Sequence, residues 1–116
     1  MIETTTILFV LAALGGLTLL GIRLSGVPRP PTWLALVHGA VAATALGMLI
    51  YLAILGIPLL SQIALGVFVL AALGGSFIFL TYHLRQRPLP IPLILGHGAA
   101  AITGVVLLII DYFSRT

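Results

Sequence analysis

Four long apolar stretches fill most of the chain, and the prolines and most of the charged residues lie in the short segments between or beyond them. Each stretch is close to the ~20 residues that an α-helix needs to cross ~30 Å of hydrocarbon. All seven prolines lie in the breaks or within the first two residues of the helix that follows, and a proline lacks the amide donor that a continuing helix requires. We therefore predict four helices, at about residues 5–23, 31–55, 60–83 and 91–111, followed by an interfacial tail over 112–116.

The second half of the chain repeats the first, without a gap, at an offset of 59 positions. The segment Phe9–Gly16 recurs letter for letter as Phe68–Gly75, and His38 recurs as His97. A repeat of this kind indicates one structural unit used twice. We predict a single all-α membrane domain over 1–116, a four-transmembrane-helix up-and-down bundle built from a tandem two-helix repeat, because short connections place consecutive helices side by side. The repeat units are residues 1–57 and 60–116.

Composition favours an integral membrane protein. Apolar residues make up 61% of the chain and charged residues 6%, and the mean hydropathy is +1.32. A soluble domain needs far more charge to cover its surface. The absence of cysteine excludes disulfides, iron–sulfur clusters and the C-x-x-C-H attachment of haem. The net charge of +3 comes from five arginines against two acidic residues. With so few charges it indicates the topology in the membrane, and we expect no nucleic acid as a partner.

The arginines predict the orientation in the membrane. Four of them lie in the first and third connections, whereas Glu3, Asp111 and Arg115 lie at the opposite end. Cytoplasmic loops carry the excess of basic residues. We expect the arginine-rich loops to be cytoplasmic and both termini to be non-cytoplasmic, in a bacterial inner membrane. The four arginines are Arg23, Arg29, Arg85 and Arg87.

The two repeated histidines lie at one depth of the predicted bundle. His38 and His97 each follow a repeated proline by seven residues, or ~10 Å of helix. Two glycine pairs on the other helices fall at the same level. Small residues in membrane helices allow close packing, and a membrane histidine can serve as an interhelical hydrogen-bond donor. Ionisable residues inside a span are costly, however, and indicate function. The glycines are Gly15, Gly16, Gly74 and Gly75.

We interpret this layer as a site for a flat ligand, and haem b is the first candidate. Imidazole is an axial ligand of haem iron, and bundle cores hold cofactors between facing helices. Ligation by His38 and His97 leaves no open position on the iron, which favours electron transfer over catalysis. The four loop arginines are the nearest cations for the propionates. Two histidines without carboxylate or thiolate partners form a weak zinc or copper site.

With its four spans and paired histidines, the chain resembles the small four-helix membrane cytochromes b, such as the b561-type proteins and the haem-anchoring subunits of respiratory enzymes. The resemblance implies an electron-transfer subunit with His38 and His97 as ligands. It departs from the two-haem b561 pattern, which needs four ligand histidines. Only His83 remains, and its repeat counterpart is Leu24. The resemblance therefore implies one haem at most.

Two further functions compete with this interpretation. A cofactor-free structural subunit of a larger membrane complex suits a chain with few residues outside the predicted spans. A chlorophyll-type pigment protein would use His38 and His97 to ligate two separate pigments. Expected partners are membrane lipid and either a larger membrane complex or a redox partner such as quinone. His83 and Asp111 are predicted to be interfacial, with a quinone head-group or proton-handling site as the alternative for His83.

Overall fold

The computed structural model describes residues 1–115, and within them the prediction of an all-α four-helix bundle is confirmed. All four helices are long and apolar enough to cross a membrane. The third helix continues into a π-helical turn, Phe79–His83. The helices are α1 (Ile2–Leu24), α2 (Thr32–Leu55), α3 (Leu59–Ile78) and α4 (Ile91–Ser114).

Prolines mark the starts of three helices. Pro31, Pro58 and Pro90 each stand immediately before the first residue of a helix, and the ψ angle of each proline is extended. A proline also disfavours the helical conformation of the residue before it, so the helix does not extend further back. At the end of α2, Gly56 has a φ of 111°, a conformation that favours glycine. These signals explain why the predicted starts of α2 and α4 are accurate to within a residue.

Two predicted boundaries were wrong. The first helix begins at Ile2, three residues earlier than predicted, because nothing near Thr5 interrupts it. The last helix continues through Ser114, so most of the predicted tail is helical. The remaining end of that tail, Thr116, lies outside the described residues.

The sequence repeat is also a structural repeat. Both ends of α4 lie 59 positions after the corresponding ends of α2. Within each unit the two helices pack closely, α1 on α2 and α3 on α4, and the units meet through α1 against α4 and α2 against α3. In this arrangement α2 lies diagonally opposite α4, and α1 lies diagonally opposite α3. The bundle is 43 Å long.

A narrow core lies along the pseudo-two-fold axis that relates the units. Leu49 and its repeat counterpart Leu108 are both fully buried, and the rings of Phe9 and Phe68 stack beside them in the same cluster. Most of the remaining apolar surface is exposed in this single chain. Helices that are apolar all round are typical of membrane spans, whose outer faces contact lipid.

The end of the third predicted helix departs from the repeat. Residues 79–83 wind as a π-helix, with the amide of Leu84 bonded to the carbonyl of Phe79 at 2.9 Å. The equivalent end of α1 remains α-helical up to Leu24. The prediction of helix to residue 83 was therefore right in extent, but the sequence pattern did not indicate the change of winding.

Candidate functional site

The side chains of His38 and His97 meet between α2 and α4. Their ring centroids are 6.3 Å apart and their planes are nearly perpendicular, at 89°. Each ring is only partly exposed. Two residues that occupy the same place in successive repeats thus approach each other at the pseudo-two-fold axis.

Each imidazole is held by the helix that precedes it. His38 Nδ1 donates to the carbonyl oxygen of Ala12 at 2.8 Å, and His97 Nδ1 donates to that of Ala71 at 2.7 Å. A carbonyl can only accept, so in the neutral ring Nδ1 carries the proton and Nε2 keeps a lone pair. Metal-ligating histidines are oriented by the same kind of second hydrogen bond.

Two of the predicted site glycines lie directly against these rings. A Cβ atom added to Gly16 would lie 3.1 Å from Cε1 of His38, and one added to Gly75 would lie 2.8 Å from Cε1 of His97. Both glycines therefore provide the space that the imidazoles occupy. Gly15 is in ordinary contact distance of His38, at 3.6 Å, whereas a Cβ on Gly74 would meet nothing within 4 Å.

An apolar cavity of about 260 Å³ reaches His97 from the groove between α3 and α4. Gly96 and Ala100 line it, and their counterparts in the first unit are the larger Val37 and Val41. His38 is not part of its wall. The two units therefore differ in access: only the second imidazole borders this cavity.

His38 and His97 offer the two imidazoles that a six-coordinate haem iron would take. Metal–nitrogen bonds of ~2.0–2.1 Å on opposite sides of one ion place two imidazole centres ~6 Å apart, close to the separation seen here. The space is less favourable, because ligand pockets usually measure ~300–1,000 Å³ and a porphyrin is a bulky ligand. A porphyrin ligated by both rings would lie across the axis between them, so its binding would require the helices around the pair to move apart.

The four predicted propionate partners have separate environments. Arg23 Nε donates to the carbonyl oxygen of Leu89 at 2.9 Å, which ties the end of α1 to the loop before α4. Arg29 borders a second, polar pocket, and Arg85 and Arg87 are exposed. A common role toward one ligand stays a prediction.

His83, predicted to be interfacial, lies at the loop end of the bundle and is buried there. Its ring is 7% exposed, stacks on Phe79 at 5.2 Å and shares a 3.0 Å hydrogen bond between Nε2 and the Thr32 hydroxyl. It lies at the end of the π-helical turn. Sequence reasoning missed the Thr32 contact because the two residues are 51 positions apart.

A polar cluster occupies the opposite end of the bundle. The Asp111 carboxylate is 4% exposed and accepts hydrogen bonds from the buried hydroxyl of Ser61 and from Arg115 Nη2, the latter at 2.9 Å. The counterparts of Ser61 and Asp111 in the first unit are Ile2 and Leu52. The paired change from apolar to polar was the available signal for this contact.

The fold and this site define the class: an all-α bundle of four helices, each long and apolar enough to span a membrane, with a symmetry-related histidine pair at its axis. Within residues 1–115, no group of three or more histidine, cysteine or acidic side chains could hold a metal ion. Compared with protein-family models, curated proteins and solved structures, the chain matches none.

Proposed function

We propose that the protein is an integral membrane electron-transfer subunit that binds one b-type haem through His38 and His97. The observation that supports this most is the geometry of the pair. Both rings donate from Nδ1 to equivalent backbone carbonyls, and their centroids are 6.3 Å apart. Each ring therefore retains one unprotonated nitrogen for a metal.

The residues around the pair orient it before any ligand binds. The carbonyls of Ala12 and Ala71 hold the tautomer in which Nε2 is free, and such hydrogen bonds also raise the basicity of the ligand nitrogen. Gly16 and Gly75 allow α1 and α3 to approach the rings. A haem with two imidazole ligands supplies one-electron transfer and has no open iron position for a substrate.

A partner is part of this proposal. The histidines lie ~10 Å from the loop end of the helices, so one haem there spans only a fraction of a ~30 Å hydrocarbon core. Electrons must be received from or passed to another redox carrier, such as quinone or a subunit of a larger complex. Loops on the cytoplasmic side of a bacterial inner membrane, with both termini on the other side, complete the proposed arrangement.

A visible spectrum tests the proposal. Protein expressed with haem available and purified in detergent should show a low-spin, six-coordinate spectrum. His38→Ala and His97→Ala should each abolish that spectrum, because both axial bonds are required. His83→Ala removes an imidazole elsewhere and should preserve it. A folded but colourless wild-type protein would exclude the haem. If the protein instead binds two chlorophyll-type pigments, and each alanine variant loses one of them and keeps the other, the pigment function is indicated.

The second candidate is a cofactor-free structural subunit. Its specific support is that the imidazoles already occupy the space beside Gly16 and Gly75 and already bond across each helix pair. In this case both alanine variants would leave a colourless protein, with a loss of only ~0.6 kcal/mol for each interhelical hydrogen bond.

A further inference from the structure

A polar pocket of about 310 Å³ lies at the loop end of the bundle, apart from the histidine pair. It is formed where the first connection and the start of α2 meet the end of the π-helical turn. We propose that this pocket binds the phosphate group of an anionic phospholipid. Its polar wall consists of Arg29, Thr32, His83 and Gln86.

The wall of the pocket is equipped to donate hydrogen bonds. Arg29 contributes a guanidinium, whose fork of N–H groups matches phosphate oxygens, and Gln86 contributes an amide. Thr32 and His83 are joined by their 3.0 Å hydrogen bond, so each restrains the other at the edge of the cavity. A phosphate accepts hydrogen bonds and carries negative charge, which complements this wall.

The electrostatic surroundings have one sign. The only two acidic residues of the chain, Glu3 and Asp111, lie at the other end of the up-and-down bundle. Arg23 at the end of α1, and Arg85 and Arg87 in the connection before α4, lie at the same end of the bundle as Arg29. No side chain among residues 1–115 caps the N-terminus of α2 next to the pocket, and the helix dipole there also favours an anion.

The repeat provides a comparison within the molecule. At the pseudo-symmetric position, the residues equivalent to the polar wall are all apolar: Pro88, Ile91, Leu24 and Val27. In that half, Leu89 is buried and bonds through its backbone to Arg23 and Pro28. The polar residues that line the pocket are thus found at one of the two pseudo-symmetric positions, and apolar residues are found at the other.

The backbone changes at the same place. The π-helical turn occurs only at the His83 end of this pair of equivalent helices, and His83 is buried there with its ring against Phe79. π-Turns occur at the C-termini of helices in general. This one, however, buries His83, whereas its repeat counterpart Leu24 is exposed. At this one pocket the second repeat unit therefore differs from the first in helical winding, in side-chain polarity and in the burial of residue 83. Two units that served only to pack against each other would not need these differences.

The position of the pocket along the bundle favours a phospholipid over free phosphate as the ligand. It lies at the loop ends of the spans, where we expect the lipid head groups, and the exposed Trp33 follows the pocket residue Thr32 in sequence. Aromatic residues of this type mark the membrane interface, and basic pockets between spans bind phospholipid head groups. A lipid held here would contact both loops and so bridge the two repeat units.

Native mass spectrometry of the detergent-purified chain tests the proposal. The probes are phosphatidylglycerol, phosphatidylcholine and diacylglycerol, which lacks phosphate. Phosphatidylglycerol should bind tightest and diacylglycerol should not bind. Arg29→Gln and Thr32→Val should each weaken phosphatidylglycerol binding, by about tenfold for the charged contact. Arg85→Gln removes the same charge from the same end outside the pocket, and it should have little effect.

The remaining outcomes distinguish the source of the phosphate and the alternatives. Competition by inorganic phosphate at the same sites would identify the free anion as the ligand, whereas retention of lipid in excess phosphate supports the phospholipid. Equal losses for Arg29→Gln and Arg85→Gln would overturn the pocket in favour of diffuse attraction. Displacement by a short-chain quinone, without any preference among the lipids, would also overturn it. Circular dichroism of each variant verifies that the helices are intact.

Discussion

Phe9 and Phe68 stack face to face, with ring centroids 3.8 Å apart and planes 5° apart. They are the same residue of two successive repeats, so the pseudo-two-fold axis passes between their rings. His38 and His97 straddle this axis in the same way. Contacts between equivalent residues make the interface of the two units self-complementary, as in a two-fold symmetric dimer whose halves are joined in one chain.

The packing of Phe68 predicts that Gly104 cannot be enlarged. A Cβ at Gly104 would lie 2.7 Å from the Phe68 ring, within the buried core. We expect Gly104→Ala to lower the free energy of unfolding by ~1–3 kcal/mol, the usual cost of overpacking. Gly66→Ala is the matched control, because its Cβ would meet nothing within 4 Å. Unfolding in mixed micelles measures both, and equal stability of the two variants would contradict the packing.

The glycines near the histidines should differ in a defined order. Gly75→Ala should disturb the bundle most, Gly16→Ala less, and Gly74→Ala least, following the space beside each residue. The larger Gly16→Leu and Gly75→Leu changes should also reduce bound cofactor more than Gly66→Leu does. Unfolding and cofactor content are the measurements. Similar losses at all positions would indicate general helix packing in place of contacts with the imidazoles.

The Ser61–Asp111 contact predicts a non-additive pair of mutations. Asp111→Leu removes the acceptor and leaves the buried Ser61 hydroxyl without this partner, at a cost of ~1–3 kcal/mol. The double change Ser61→Ala with Asp111→Leu should recover much of that loss, because it restores an apolar pair like Ile2 and Leu52 of the first unit. A double-mutant cycle on unfolding free energies measures the coupling. Strictly additive losses would rule out the predicted coupling.

The arginine distribution predicts the topology. The chain has no cysteine, so single cysteines at Thr4 and Gln86 can be labelled selectively. A membrane-impermeant thiol reagent applied from outside should modify the Thr4 site in intact cells and the Gln86 site only after the membrane is opened. The opposite pattern would reverse the proposed orientation.

The hydrophobic pattern was sufficient to predict the number of helices and their approximate extent. Runs of about 20 apolar residues leave few alternatives to a membrane helix, since every backbone polar group must be satisfied within the span. Prolines located three of the starts, and the 59-residue repeat gave the two-unit organisation. Depth counting from Pro31 and Pro90 also placed His38 and His97 at one level, because the rise per residue of a helix is constant.

Tertiary structure decided which atoms face one another. The helical rise per residue predicts the depth of Gly16 and Gly75 in the bundle, but it does not predict which side chains contact them. Only the packed bundle shows that the imidazoles fill the space beside these glycines. The hydrogen bond of the buried His83 joins it to Thr32, which is distant in sequence. Helix identity is a local property of the chain, whereas hydrogen bonds such as Ser61 to Asp111 depend on how separate helices are rotated and aligned against each other.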